Sequence, residues 1–224
     1  GLETEVAPNR ARYVNRGQPL PALKSRQFEL GVKHTGQDVD ATLALFDIDR
    51  PQSADIGPCD AADSCTRAID GSARHRGAEA QATLHAGAWT WHAGAMWLDA
   101  ERRGSAQEGI NGTRPVNVPE ATLRLGAEVR VGALPGLALQ GNVVAESDRV
   151  VLPYDDTVRI PGWARLDLGA RWRQAWRETT LVWRLGVDNV TDQRAWKESP
   201  YQFGHVYLYP LAPRTWRASI ELSY

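Results

Sequence analysis

The side chains best equipped to take hold of a ligand are concentrated near the end of the chain, where Trp196, Tyr201, Phe203, Tyr207 and Tyr209 fall within fourteen residues. Aromatic rings at that density can grip a flat or cyclic ligand by stacking. Two readings of the stretch stand side by side: the rings face a ligand, or some pack the segment against its neighbours while Tyr207 and Tyr209 join a band of interfacial aromatics. Arg149 and Arg194 are the candidates for holding an anionic partner, through their forked N–H groups. Catalysis has less to work with. Ser, His and Asp occur without a nucleophile elbow and without a His/Cys cluster at metal-ligand spacing, so no catalytic site and no metal centre is expected. His92 falls on the polar face of an alternating segment, and His75 and His205 lie near or in polar stretches, where a hydrogen-bonded imidazole needs no ligand role. Asp155 and Asp156, or Asp55, Asp60, Asp63 and Asp70, match no calcium-loop spacing and read as solvated acids. Cys59 and Cys65 lack the further ligands that zinc requires, so a disulfide in an exported loop is the preferred reading of the pair.

The elements that must carry these residues are strands. No window approaches the roughly 18–20 consecutive apolar residues of a spanning helix, and the mean hydropathy is −0.42. Neither fact touches a membrane barrel, whose strands are half polar by construction. A net charge of −1 gives no pull toward nucleic acid. Nine Trp against three Phe favours a residue type at home in membrane interfaces. The chain opens at Gly1 with no Met and no charged-then-apolar leader, which implies that a leader was removed or that Gly1 is not the natural start.

Nine segments alternate with a period of two. They run near Gln27–Lys33, Val39–Leu45, Ala78–Leu84, Trp89–Trp97, Ala121–Val131, Leu137–Glu146, Ala164–Trp172, Leu181–Asp188 and Trp216–Tyr224. In the last, Trp216, Ala218, Ile220, Leu222 and Tyr224 alternate with Arg217, Ser219, Glu221 and Ser223. The connections alternate between a few residues and long polar stretches, expected at about Arg50–Ala73, Glu101–Val118, Arg149–Asp156 and Val190–Pro213. A soluble meander has no reason to sort its loops by side, whereas an outer-membrane barrel has short turns at one rim and long loops at the other. The polar faces carry Arg, Glu and Asp in nearly every segment, too many charges for the core of a sandwich. Trp89, Trp91, Trp172 and Trp176 fall near the short-turn ends, and Trp97 and Trp163 near the long-loop ends, as two membrane-interface girdles would.

Nine is an odd number, and a bacterial barrel closes on an even one so that no strand edge faces lipid. The expectation is therefore an all-β, antiparallel transmembrane barrel of which this chain is the C-terminal part, with the remaining strands before Gly1. Residues 1–23 are read as an extracellular loop segment and 24–224 as barrel.

Several phrases then resemble a known family. Leu20-Pro21-Ala22-Leu23-Lys24-Ser25-Arg26-Gln27-Phe28-Glu29-Leu30-Gly31-Val32-Lys33, Arg76-Gly77-Ala78-Glu79, Pro115-Val116-Asn117-Val118-Pro119, Gly186-Val187-Asp188-Asn189-Val190-Thr191-Asp192 and Ala212-Pro213-Arg214-Thr215-Trp216 are similar to the C-terminal barrel of TonB-dependent outer-membrane receptors, especially the siderophore group. They span nearly the whole chain, in order and in register with the strand pattern. The resemblance implies a 22-stranded barrel around an N-terminal plug, of which these residues supply about the last nine strands and neither plug nor TonB box. It further implies ferric siderophore uptake energised by the TonB complex through the plug, in the bacterial outer membrane, with a small iron chelate as cargo and no cofactor. Import of another nutrient such as a cobalamin, a structural or adhesin-type barrel, and a barrel protease or lipase are the alternatives. Under the family reading Trp196, Tyr201, Phe203, Tyr207, Arg149 and Arg194 become ligand-binding candidates. Trp216, Ile220, Leu222 and Tyr224 become the signal read by the barrel-assembly machinery, with Tyr224 standing where the family usually ends in Phe.

Overall fold

A computed structural model describes residues 5–202 and 204–223, so Phe203 and Tyr224 lie outside the described residues. Every regular element described is a strand. They are β1 (Arg26–Thr35), β2 (Val39–Ile56), β3 (Thr66–Ala86), β4 (Trp89–Arg103), β5 (Ala121–Arg130), β6 (Leu137–Glu146), β7 (Arg149–Leu152), β8 (Asp155–Ile160), β9 (Trp163–Trp176), β10 (Thr179–Asp188), β11 (Trp196–Glu198), β12 (Tyr201–Gln202), β13 (His205–Val206), β14 (Tyr209–Pro210) and β15 (Thr215–Ser223). Nine of them form one antiparallel sheet in the order β1-β2-β3-β4-β5-β6-β9-β10-β15. The other six make three two-stranded ladders, β7-β8, β11-β14 and β12-β13, all within long connections.

The period of two fixes the register, because a slip by one residue moves an entire apolar set to the wrong face. Leu30 pairs with Leu45, Leu45 with Ala78, Ala80 with Ala95 and Leu123 with Ala145. The apolar row then continues through Val143–Leu166 and Ala170–Leu185 to Leu185–Ala218. One face of the sheet is thus an unbroken apolar belt, and it is open: Phe28, Leu30, Leu45, Leu185, Trp216 and Ile220 are all exposed. The opposite face joins strands through ion pairs, Arg184–Glu221 at 2.7 Å and Arg217–Asp188 at 2.5 Å between β10 and β15, and Arg171–Glu128 at 3.0 Å reaching across β6 from β9 to β5.

Three strands run into stretches expected to be loops, β4 continuing to Arg103 past the expected start of its loop at Glu101. β2 continues to Ile56 and β3 begins at Thr66, so much of the expected loop Arg50–Ala73 is hairpin, closed by residues 57–65. Beyond the belt nothing demands an apolar face, and the main-chain ladder continues on polar side chains. Pro51 is accommodated where the register shifts between Pro51 and Ser53, since a residue without an N–H sits well at a bulge. The expected loop around Arg149–Asp156 is likewise replaced by the β7-β8 hairpin.

Trp89, Trp91, Trp97, Trp172 and Trp176 are exposed on the belt face, and the rings of Trp89 and Trp91 stack with centroids 5.2 Å apart. Trp163 differs from its expected place. Counting by twos from Arg165 and Asp167 puts it on the charged face, opposite Glu146, and it is 7% exposed. Trp183, not among the expected aromatics, stands beside Trp172 on the belt and donates its indole N–H to Gln174 at 3.0 Å.

Candidate functional site

Nearly all burial among the described residues lies at the long-connection end. Apart from Ala138 and Val182, the buried side chains belong to the long connections and the strand ends beside them, including Val6, Tyr13, Cys65, Ile110, Val150, Ile160, Trp163 and Leu211. The sheet is held by its ladder; the rim is held by packing.

The rim is organised first by residues 5–20, which lie on the closed end of the β2-β3 hairpin. Cys59 and Cys65 are joined by a disulfide with Cα atoms 4.5 Å apart. Cys65 is buried with Val6 and Tyr13 and forms a parallel bridge to Tyr13. Asp55 is the polar centre of the contact: it accepts from Arg12 Nη2 at 2.8 Å, Arg67 Nη1 at 3.1 Å and the Tyr13 hydroxyl at 3.0 Å. Asn15 donates to Arg67 O at 2.8 Å and accepts from Arg67 N–H at 3.1 Å. Asp55 and the two cysteine sulfurs lie within 4.8 Å of one another, but the sulfurs are consumed by the disulfide and the carboxylate is held by two cations. Removing Asp55 leaves those cations facing each other, at a cost of about 1–3 kcal/mol to the docked segment. Asp55→Ala is expected to raise trypsin cleavage after Arg10 and Arg16 about tenfold in the folded protein, and unchanged cleavage would refute this role for Asp55.

Asp63, Asp70, Asp155 and Asp156 also have internal partners. Asp70 is bonded to the Ser105 hydroxyl and accepts from Ala106 N–H at 2.7 Å. Asp63 pairs with Arg16, and Asp156 accepts from Arg114 N–H at 3.2 Å. Asp155 accepts from both the hydroxyl and the N–H of Thr157, and these bonds to its charged form hold its carboxyl below the usual carboxylate range.

The aromatic stretch is anchored by the segment Asn189 to Asp192. Asn189 is fully buried, donates to Gln193 O at 3.0 Å and Ala212 O at 2.9 Å, and accepts from Gln193 N–H at 2.9 Å. Its own N–H donates to Asp167 Oδ1 at 2.8 Å, while Asp192 accepts from Arg214 N–H at 3.1 Å. Both residues have left-handed backbone, φ 53° and 52°, a conformation that Asn and Asp tolerate well. The two ends of the connection 189–214 are thereby clamped together. From this clamp Arg194 and Trp196 line one cleft of about 650 Å³ with Pro161, Gly162, Pro210 and Leu211. A cation beside an indole and prolines can hold an anion and stack a ring at once.

The remaining candidates are distributed differently. Tyr201 pairs with Val206 in the small β12-β13 ladder, and burial, with the neighbouring Tyr154, raises its hydroxyl pKa. Tyr207 is 41% exposed, and its N–H donates to Pro200 O at 3.0 Å. Arg149 is 7% exposed, paired with Glu146 and bonded to Asn117 at 3.1 Å. Its charge is already matched inside the rim, which distinguishes it from Arg194. Asn117, Asn189, Tyr154 and Ser199 organise this region without having stood out as site residues; their signal was only the presence of Asn117 and Asn189 in the familiar phrases.

Residues 4–190 match the family model described as TonB dependent receptor-like, beta-barrel. The chain belongs to the TonB-dependent receptor β-barrel family. Ferrichrome receptor FcuA of Yersinia enterocolitica is 34% identical over 212 residues, covering 94% of this chain and 27% of that protein. The ferric preacinetobactin receptor BauA from Acinetobacter baumannii superposes with a TM-score of 0.80 at 29% identity, covering 98% of this chain and 32% of that one. The ferric yersiniabactin uptake receptor FyuA from Yersinia pestis gives 0.70 at 21% identity over 89% of this chain and 30% of that one, a likeness of fold. This TonB-dependent barrel chain therefore spans about a quarter to a third of the length of these relatives. Its family is one of transporters and receptors.

Proposed function

We propose that this chain is part of an outer-membrane active transporter that imports a ferric siderophore, energised by the TonB complex through a plug domain encoded outside these residues. The observation that carries the reading is the 34% identity to a ferrichrome receptor across 94% of the chain. The sorting of short and long connections to opposite ends of the sheet supports it. In this reading the apolar belt faces lipid, the exposed tryptophans mark its borders, and residues 1–23 and the long connections face the outside. Residues 24–224 are then barrel. β15 serves as the closing strand that the assembly machinery reads, through Trp216, Ile220 and Leu222.

Transport is non-covalent, and no covalent step is assigned to any residue. Arg194 and Trp196 meet the anionic chelate in their cleft, Tyr201 and Tyr207 flank it, and Arg149 holds the rim together rather than touching cargo. Phe203 keeps its place as a candidate on sequence grounds. Deleting the full gene is expected to abolish growth on one ferric siderophore under iron limitation, scored across a panel of siderophores. Unchanged growth on every member would overturn the reading, as would a defect confined to cobalamin-dependent growth.

A further inference from the structure

Asn117 stands where three long connections meet, and different atoms of this one residue hold the other two. Its N–H donates to Val150 O at 3.0 Å. Its carbonyl and its Oδ1 each accept from Arg149 Nη1 at 3.1 Å. Oδ1 also accepts from Ser199 N–H at 2.7 Å. Asn117 is half-buried and its partners are buried: Val150 and Ser199 are 0% exposed and Arg149 7%. Arg149 is in turn paired with Glu146 at the end of β6. A residue of the connection 104–120 thus ties the β7-β8 hairpin to the turn between β11 and β12.

Chain connectivity does not enforce this meeting, because Asn117 is separated from Arg149 by 32 positions and from Ser199 by 82. The residue type fits the task on two counts. Its backbone is left-handed, φ 62°, which favours Asn over most side chains. An amide oxygen offers two lone pairs, enough for Arg149 and Ser199 together, and adds no charge beside the Arg149–Glu146 pair.

We propose that Asn117 is a positioning residue that fixes the aromatic arm from Trp196 to Tyr207 against the β7-β8 hairpin, so that an incoming ferric chelate meets a preformed rim. The proposal rests on the siderophore reading for its cargo, and on geometry alone for the joint. Removing the Oδ1 acceptor strands the buried Ser199 N–H and leaves Arg149 only the main-chain carbonyl of residue 117, enough for about a tenfold effect on local opening.

The test uses the full-length receptor carrying this chain, in outer-membrane vesicles, with two substitutions. Asn117→Gly keeps the left-handed backbone and deletes the acceptor; Asn117→Asp keeps the acceptor. Hydrogen exchange at Ser199, Tyr201 and Gln202 is expected to quicken about tenfold in the Gly variant and to stay within about twofold in the Asp variant. Affinity for ferrichrome is expected to follow the same order while the thermal midpoint of the barrel holds. Unchanged exchange in Asn117→Gly, or equal exchange in the two variants, would overturn the joint. If exchange responds as expected but the unsubstituted receptor binds no ferrichrome, the joint stands and the choice of cargo falls.

Discussion

Replacing Leu185 by arginine in the assembled receptor is expected to cost about 2–4 kcal/mol, the usual penalty for a cation at the lipid-facing midplane of a barrel. Leu185 is 63% exposed on the apolar belt, between Ala170 of β9 and Ala218 of β15. In water a leucine so exposed contributes little, and arginine there would be neutral or mildly favourable. The two environments therefore predict outcomes differing by several kcal/mol for one substitution. Gly94→Arg is the matched control, because Gly94 lies on the opposite face of β4 with nothing within 4 Å of an added Cβ. It is expected to change stability by no more than about 0.5 kcal/mol. Equilibrium unfolding from vesicles by denaturant measures both. A neutral Leu185→Arg would mean that the belt does not meet lipid.

The largest steric effect is expected at Gly77. A Cβ on this residue would lie 2.3 Å from the main-chain oxygen of Trp97 and 2.6 Å from Cζ of Phe46. Phe46 is the cross-strand partner of Gly77 in β2 and Leu98 its partner in β4. The ring thus lies over the glycine and covers backbone that has no side chain of its own, a recognised way of stabilising a glycine in a sheet. The ring can rotate; a carbonyl in the ladder cannot withdraw without breaking its bond. Gly77→Val is expected to cost more than about 3 kcal/mol and to abolish the heat-modifiable, folded form of the receptor on electrophoresis. Gly94→Val is expected to leave that form intact. Wild-type folding of Gly77→Val would contradict the close approach of β3 and β4.

The sheet was legible because strands with one apolar and one polar face impose a strict rule. Wherever the rule applies, as from Leu137 to Glu146 or Leu181 to Asp188, alternation gave the strand, its faces and its register. It failed where the rule lapses. Residues 50–56 and 66–73 pair as strand on polar side chains, and Arg149–Ile160 folds as a hairpin with no alternation to announce it. Trp163 follows parity rather than nearness to a rim, since two-residue counting from Arg165 places it on the charged face opposite Glu146. The candidate site was legible only in part. Arg194 and Trp196 are near neighbours in sequence and share a cleft, whereas the partners of Arg149 come from Glu146 and from Asn117 on another connection. No local pattern foretells a contact between residues 117 and 199, because it arises from how three irregular segments pack.

The concentration of burial at one end gives the chain two kinds of cohesion. Below, eight hydrogen-bonded ladders join nine strands, and their side chains answer mainly to the medium on either face. Above, one small apolar cluster of Val6, Tyr13 and the disulfide and two buried polar joints, Asn117 with Arg149 and Asn189 with its clamp, hold the rim as packing and hydrogen bonds hold a water-soluble protein. Such a rim can change its side chains while the ladder beneath keeps its register. Rim and ladder are thereby free to evolve at separate rates within one continuous chain.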